Sequence, residues 1–144
     1  MSETRPQTGI PLPRPTPLST PYWDGCREGE LRVQRCTTCG GFEFIPQHGC
    51  TNCVTDTLEW VSSSGRGQVY SYSVVHRPQQ PQFGTPYVVA IVQLDQSDDN
   101  EVGWYMLTNL IEIEPEAVTV GMPVEVAFER MSDVITLPYF RPSS

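Results

Sequence analysis

The chain contains no lysine; all nine of its basic residues are arginine. Schiff-base chemistry on this chain is therefore excluded, because it needs a lysine amine. Histidine is almost missing too. Only His48 and His76 are present, so general acid–base catalysis has few carriers. Long apolar runs are absent. The longest, Tyr87 to Val92, is far short of the roughly eighteen residues that suggest a membrane-spanning helix. Met1 to Pro6 lacks the apolar core of a secretory signal. The expected location is the cytoplasm, where thiols stay reduced. Positive charge is outweighed by negative, giving a formal net charge of −8. That balance argues against nucleic-acid binding, which relies on basic patches.

What the chain does have is cysteine in a pattern. Cys36 and Cys39 form one Cys-x-x-Cys pair, and Cys50 and Cys53 form a second, ten residues later. Each pair offers two thiolates from one tight turn, and two such turns facing each other make a tetrahedral sulfur cage. Gly40, just after the second ligand, suits a turn that needs positive φ. Zn²⁺ is the expected occupant, with iron the main competitor for the same four sulfurs. A thioredoxin-like redox motif fits less well, since it uses one pair in a βαβ setting. Four protein thiolates leave no position for water or substrate, so the ion is expected to hold structure and not to catalyse. Cys26 stands apart from the set and reads as a buried spectator.

At 144 residues the chain fits one medium domain or two small ones. Residues 1–19 form a proline-rich arm carrying Pro6, Pro11, Pro13, Pro15 and Pro17. Such a density prevents helix and favours extended backbone. The arm reads as a disordered tail or as a segment that lies over a partner, burying Ile10, Leu12 and Leu18. Thr20-Pro21 then predicts a helix running to Glu28 and stopping at Gly29, with Thr20 as cap and Asp24 near the positive end. Tyr22, Trp23 and Cys26 share a face of that helix. Alternation predicts ribbon strands over Leu31–Arg35 and Phe42–Ile45, with His48 exposed. Residues 20–57 are thus read as a helix and zinc ribbon.

Residues 58–144 read as all-β. Strands are predicted over 58–61, 69–75, 87–94, 101–110, 123–128 and 134–137, with a helical turn at 115–118 and a proline-bearing loop at 76–86. This spacing fits a small closed barrel of about five strands; the OB-fold is the common case. The fold class is therefore mainly β: an N-terminal helix and rubredoxin-like ribbon, then a five-stranded OB-fold barrel.

In order, the motifs are Tyr22-Trp23, Gly29-Glu30-Leu31, Gln34-Arg35-Cys36, both cysteine pairs, Gly65 to Ser71, Pro86 to Ala90, Leu107-Thr108-Asn109-Leu110, Gly121 to Val124, and Leu137-Pro138-Tyr139-Phe140. Across residues 20–142 this set resembles the domain-of-unknown-function thirty-five family, in which a helix and a rubredoxin-like zinc ribbon precede an OB-fold. The resemblance implies a non-catalytic accessory subunit in a hetero-oligomer with a thiolase-fold enzyme acting on acyl-CoA thioesters. A steroid side-chain aldolase is the partner it favours, and MaoC-like enoyl-CoA hydratases are the alternative. It also implies Cys36, Cys39, Cys50 and Cys53 as metal ligands and supplies no catalytic residue. Tyr22 and Trp23 are candidate partner anchors. Arg66 and Arg77 are candidate contacts to CoA phosphates. Two other readings compete. One is single-stranded nucleic-acid binding on a face of Tyr70, Tyr72, Tyr87 and Tyr105. The other is a stand-alone enzyme pairing His76 with Cys26.

Overall fold

The computed structural model describes residues 11–77 and 85–143. Pro6 and Ile10 of the arm, and Pro78 and Pro81 of the later loop, lie outside the described residues. Helix α1 spans Thr20–Arg27. Its N-cap is Ser19 and not Thr20, and the Ser19 hydroxyl makes no cap bond. Thr16 and Ser19 bond to each other instead, and the Thr20 hydroxyl donates to the Thr16 carbonyl at 2.7 Å. Asp24, expected at the positive end, pairs with Arg27 one turn on. The C-terminal end follows the prediction. Gly29 takes φ +79°, and the Glu30 and Gly29 amides return to the Gly25 and Cys26 carbonyls at 2.8 and 3.1 Å.

Three short strands form the ribbon sheet in the order β2-β1-β3: β1 Arg32–Cys36, β2 Phe42–Glu43 and β3 Leu58–Ser62. The last of these corrects an expectation. Leu58–Ser62 was predicted within the barrel, yet it pairs antiparallel with β1 from Arg32↔Ser62 to Cys36↔Leu58. The alternation marks a strand but cannot name its partner. Phe42–Ile45 is also shorter as a strand than predicted. After Glu43 the chain turns, and Phe44 packs between Tyr22 and Trp104, with ring centroids 5.6 and 5.1 Å away.

The barrel follows: β4 Arg66–Val75, β5 Tyr87–Leu94, β6 Trp104–Leu110, β7 Pro123–Arg130 and β8 Thr136–Pro142. It closes in the order β4-β5-β6-β8-β7, with β6 and β8 the parallel pair. The predicted helical turn is a 3₁₀ turn, Pro115–Ala117. Three strand starts shift. β4 begins early, at Arg66 instead of Val69. β6 begins at Trp104 because Asn100 and Gly103 complete the preceding turn, the Gly103 amide donating to the Asn100 side chain at 2.9 Å. β8 begins after Val134, which is exposed beside a turn held by the Ser132 hydroxyl.

Ribbon and barrel share one apolar core. Leu31 and Val33 of the ribbon and Tyr22 and Cys26 of α1 cluster with Val69, Val92, Leu94, Trp104 and Phe140 of the barrel. Asp95 fastens the junction. Its carboxylate accepts from Ser63 Oγ at 2.5 Å, the Ser64 amide at 3.0 Å and Trp104 Nε1 at 2.8 Å. Burial works against its charged form, but the donors at Ser63, Ser64 and Trp104 outweigh it and hold the group below the usual carboxylate range. A lowered folded-state pKa stabilises above the unfolded value and stops doing so as pH falls through the folded one. Asp95→Asn should therefore cost ~1–2 kcal/mol at pH 7. In paired urea melts, its gap to the parent chain should narrow below about pH 4, near the unfolded carboxylate value.

Candidate metal centre

The two cysteine turns are built alike. In the first, the Gly40 amide donates to the Cys36 carbonyl at 2.9 Å, and the Cys39 amide points at Cys36 Sγ at 3.5 Å. In the second, the Val54 amide donates to the Cys50 carbonyl at 2.9 Å, and the Cys53 amide points at Cys50 Sγ at 3.5 Å. β1 delivers Cys36 from the ribbon sheet, and the Cys50 amide is tied to the Thr55 carbonyl at 2.7 Å. The four Sγ atoms lie within 4.8 Å of one another. Cys36–Cys53 and Cys39–Cys50 are each 3.6 Å apart. These are not disulfides; all five cysteines are free. A tetrahedron of Zn–S bonds near 2.3 Å has sulfur–sulfur edges of about 3.8 Å, so the cage fits a four-thiolate metal.

The sulfurs differ electrostatically. Cys36 is held down to about 5, first by the Thr57 hydroxyl, then by the Cys39 amide and Thr55. Cys39 is lowered mainly by the Asn52 side-chain amide. The Cys53 amide also favours a thiolate at Cys50, yet Cys50 stands up at about 11, because burial and the adjoining Cys39 and Cys53 sulfurs oppose a further negative charge. Bound metal supplies the positive charge that lets all four ionise.

His48 is exposed, as expected, and Cys26 is buried on α1. His76 lies exposed just beyond β4. The structure therefore does not join His76 and Cys26 into a reactive pair. Arg66 is the first residue of the ten-residue β4, and Arg77 lies two residues beyond its other end. Arg66 opens β4 instead of lying in a loop, and it lines a cleft with Arg35, Phe42, Val61, Gln93 and Asp95. Tyr70, Tyr72 and Tyr105 are exposed, and the Tyr70 and Tyr105 rings lie 4.8 Å apart.

Tyr22 and Trp23 meet at 4.8 Å, edge to face. Tyr22 is buried and Trp23 is half-buried. Both line an apolar groove of about 580 Å³ together with Pro11, Ile45, Leu107 and Pro138. Ile45 and Leu107 leave it open to solvent, at 69% and 67% exposure.

Sequence reasoning missed the hydroxyl and amide donors around the sulfurs. Their only trace was the Thr55-Asp56-Thr57 spacing, which puts two hydroxyls on one face of an extended segment just past Cys53.

Two family models cover most of the chain. Residues 23–59 match the ChsH2 rubredoxin-like zinc ribbon domain, and residues 60–129 match the ChsH2 C-terminal OB-fold domain. The chain belongs to the ChsH2/DUF35 family. A probable enoyl-CoA hydratase alpha subunit of Thermomonospora curvata is 34% identical over 142 residues, covering 99% of this chain but 43% of its own length. The ChsH2-type chain therefore spans less than half of that relative. A DUF35 domain-containing scaffold protein of Methanocaldococcus jannaschii is 36% identical over 116 residues, covering 75% of this chain and 78% of that one. Among solved structures, an Ltp2-ChsH2(DUF35) aldolase superimposes with a TM-score of 0.79 at 34% identity, over 92% of this chain and 100% of that one.

The two turns of this ChsH2-type ribbon differ at the residue just after the second cysteine. Gly40 takes φ +78°, and its counterpart Val54 takes φ +62° with its side chain 88% exposed. A left-handed conformation costs an L-residue about 1–2 kcal/mol, and a β-branched one is an outlier there. Val54→Gly should therefore raise the stability of the metal-loaded chain by up to about 1 kcal/mol, less the entropy that glycine adds to the unfolded state. Gly40→Val should lower it. The urea midpoints of the two variants should move in opposite directions.

Proposed function

We propose that this chain is a non-catalytic, zinc-binding subunit of a thiolase-fold enzyme acting on acyl-CoA thioesters, with a steroid side-chain retro-aldol reaction as the favoured activity. The observation that carries this reading is the likeness to the ChsH2(DUF35) component of an aldolase, over nearly all of this chain and all of that one. The metal chemistry supports it. Cys36, Cys39, Cys50 and Cys53 would hold Zn²⁺ with all four positions filled, leaving none for a substrate. Zinc would supply structure, and the partner would supply the reacting groups.

The groove is the partner-facing surface in this reading. Trp23 forms one wall as a partly exposed aromatic anchor, and Tyr22 braces it from the floor. The Pro11–Arg14 segment runs along its edge, where extended backbone docks at little ordering cost. Arg66 and Arg77 are the candidate contacts to CoA. Partnership with an enoyl-CoA hydratase is the second reading, supported by the name of the Thermomonospora relative. Single-stranded nucleic-acid binding has the exposed Tyr70–Tyr105 pair in its favour and the net charge of −8 against it.

The test is co-expression with the thiolase-fold proteins encoded beside it. A stable hetero-oligomer should form, and retro-aldol turnover should require both chains. Trp23→Ala should weaken the complex at least tenfold, the scale of a buried aromatic anchor, with the metal content unchanged. A chain that stays monomeric beside those enzymes, with their activity the same in its presence, overturns the reading. A stable complex with a co-expressed enoyl-CoA hydratase, and none with the thiolase-fold proteins, moves it to the second one.

A further inference from the structure

The four sulfurs converge on one point, but their surroundings are unequal. Three threonine hydroxyls form a chain on one side. Thr38 Oγ1 and Thr55 Oγ1 each lie 2.8 Å from Thr57 Oγ1. Thr57 Oγ1 lies 3.3 Å from Cys36 Sγ, and Thr55 Oγ1 lies 3.2 Å from Cys53 Sγ. Each hydroxyl has one proton, and a metal-bound thiolate can only accept. With Thr38 and Thr55 both donating into Thr57 Oγ1 across the two short contacts, the Thr57 proton goes to Cys36, and Thr55 Oγ1 lies beside both Cys53 Sγ and Cys36 Sγ, the latter at 3.5 Å. Thr38 donates to Thr57 Oγ1, which keeps the Thr57 proton aimed at sulfur. The Thr38 and Cys39 amides add donors to Cys36 Sγ at 3.4 and 3.5 Å.

The other three sulfurs each have fewer donors than Cys36. Cys39 is exposed, and its side-chain donor is Asn52 Nδ2 at 3.5 Å. Cys50 is buried and receives the Cys53 amide at 3.5 Å. A thiolate that accepts several hydrogen bonds spreads its charge into them and is a poorer nucleophile and base. Burial of Cys36 adds to that protection. Cys39 is the exposed sulfur, and the Asn52 side chain and Gly41 amide shield it less than burial and several donors shield Cys36, so it is left the most reactive.

We propose that the Thr38–Thr57–Thr55 hydroxyl chain gives the centre a direction. Cys36 is the retained thiolate, and Cys39 is the ligand that opens first when the metal is exchanged or attacked by an electrophile. Thr57 is a positioning residue in this device: it acts through Cys36 and does not touch the metal. The inference rests on metal binding at these cysteines, so metal content is measured before labelling.

The experiment uses the metal-loaded full chain and substoichiometric N-ethylmaleimide. The thiolate adds across the maleimide double bond, the resulting carbanion takes a proton from water, nothing leaves, and that sulfur gives up its metal bond. Intact-protein fragmentation then locates the first adduct, and a chromophoric chelator reports metal release. In the parent chain the first adduct should fall on Cys39. Thr57→Val should move a share of it to Cys36 and speed metal release by about tenfold, the lower end for loss of a group behind a ligand. Thr57→Ser, which keeps the hydroxyl, should behave as the parent does. Thr38→Val removes only the outer link and should shift both readouts the same way by less, so the claim stays testable if Thr57→Val does not fold. A first adduct on Cys36 or Cys53 in the metal-loaded parent overturns the proposal. So does a folded Thr57→Val with unchanged adduct position and release rate. A parent chain that takes up no metal overturns the metal assignment as well, and elemental content distinguishes that failure from the others.

Discussion

Four thiolates cannot share a space 4.8 Å across without a cation. That constraint organises the N-terminal part of the chain. The ribbon sheet is too small to fold by itself: β2 is two residues long, and β1 and β3 are five each. Its apolar residues are spent on contact with α1 and the barrel. Metal ligation replaces the hydrophobic core that the two cysteine turns lack.

The consequence reaches beyond the turns. Phe44, Ile45 and Pro46 lie between the two cysteine pairs and form part of the apolar groove. Holding both turns on one ion fixes the ends of that segment. Phe44 is then set between Tyr22 and Trp104, and Trp104 is in turn held by Asp95 beside Ser63 and Ser64. A continuous set of contacts thus runs from the sulfur cage through the groove wall to the barrel. A metal held by these four cysteines would shape the proposed docking surface.

The local features were legible in the sequence, and the non-local ones were not. The cysteine spacing carries its own chemistry, because the ligands of each turn sit three residues apart. The alternation of Trp104 and Met106 against Tyr105 and Leu107 was readable, since a strand alternates, and the structure places Trp104 and Met106 inward. The partner of Leu58–Ser62 was not readable, because strand pairing with β1 spans more than twenty residues and alternation is silent about it. Tyr70 was ambiguous for a different reason. The register shift between Val69 and Ser71 breaks the alternation of β4 and leaves Tyr70 53% exposed. The Asp95 junction had no local trace, because its donors Ser63 and Ser64 lie about thirty residues upstream.

The closed sulfur cage is the central claim, and X-ray absorption at the metal edge of the purified chain tests it most directly. The account predicts zinc with a single shell of four sulfurs near 2.3 Å and no oxygen or nitrogen in the first shell. A mixed shell, with a light atom replacing one sulfur, would mean an open coordination position and would contradict a purely structural centre.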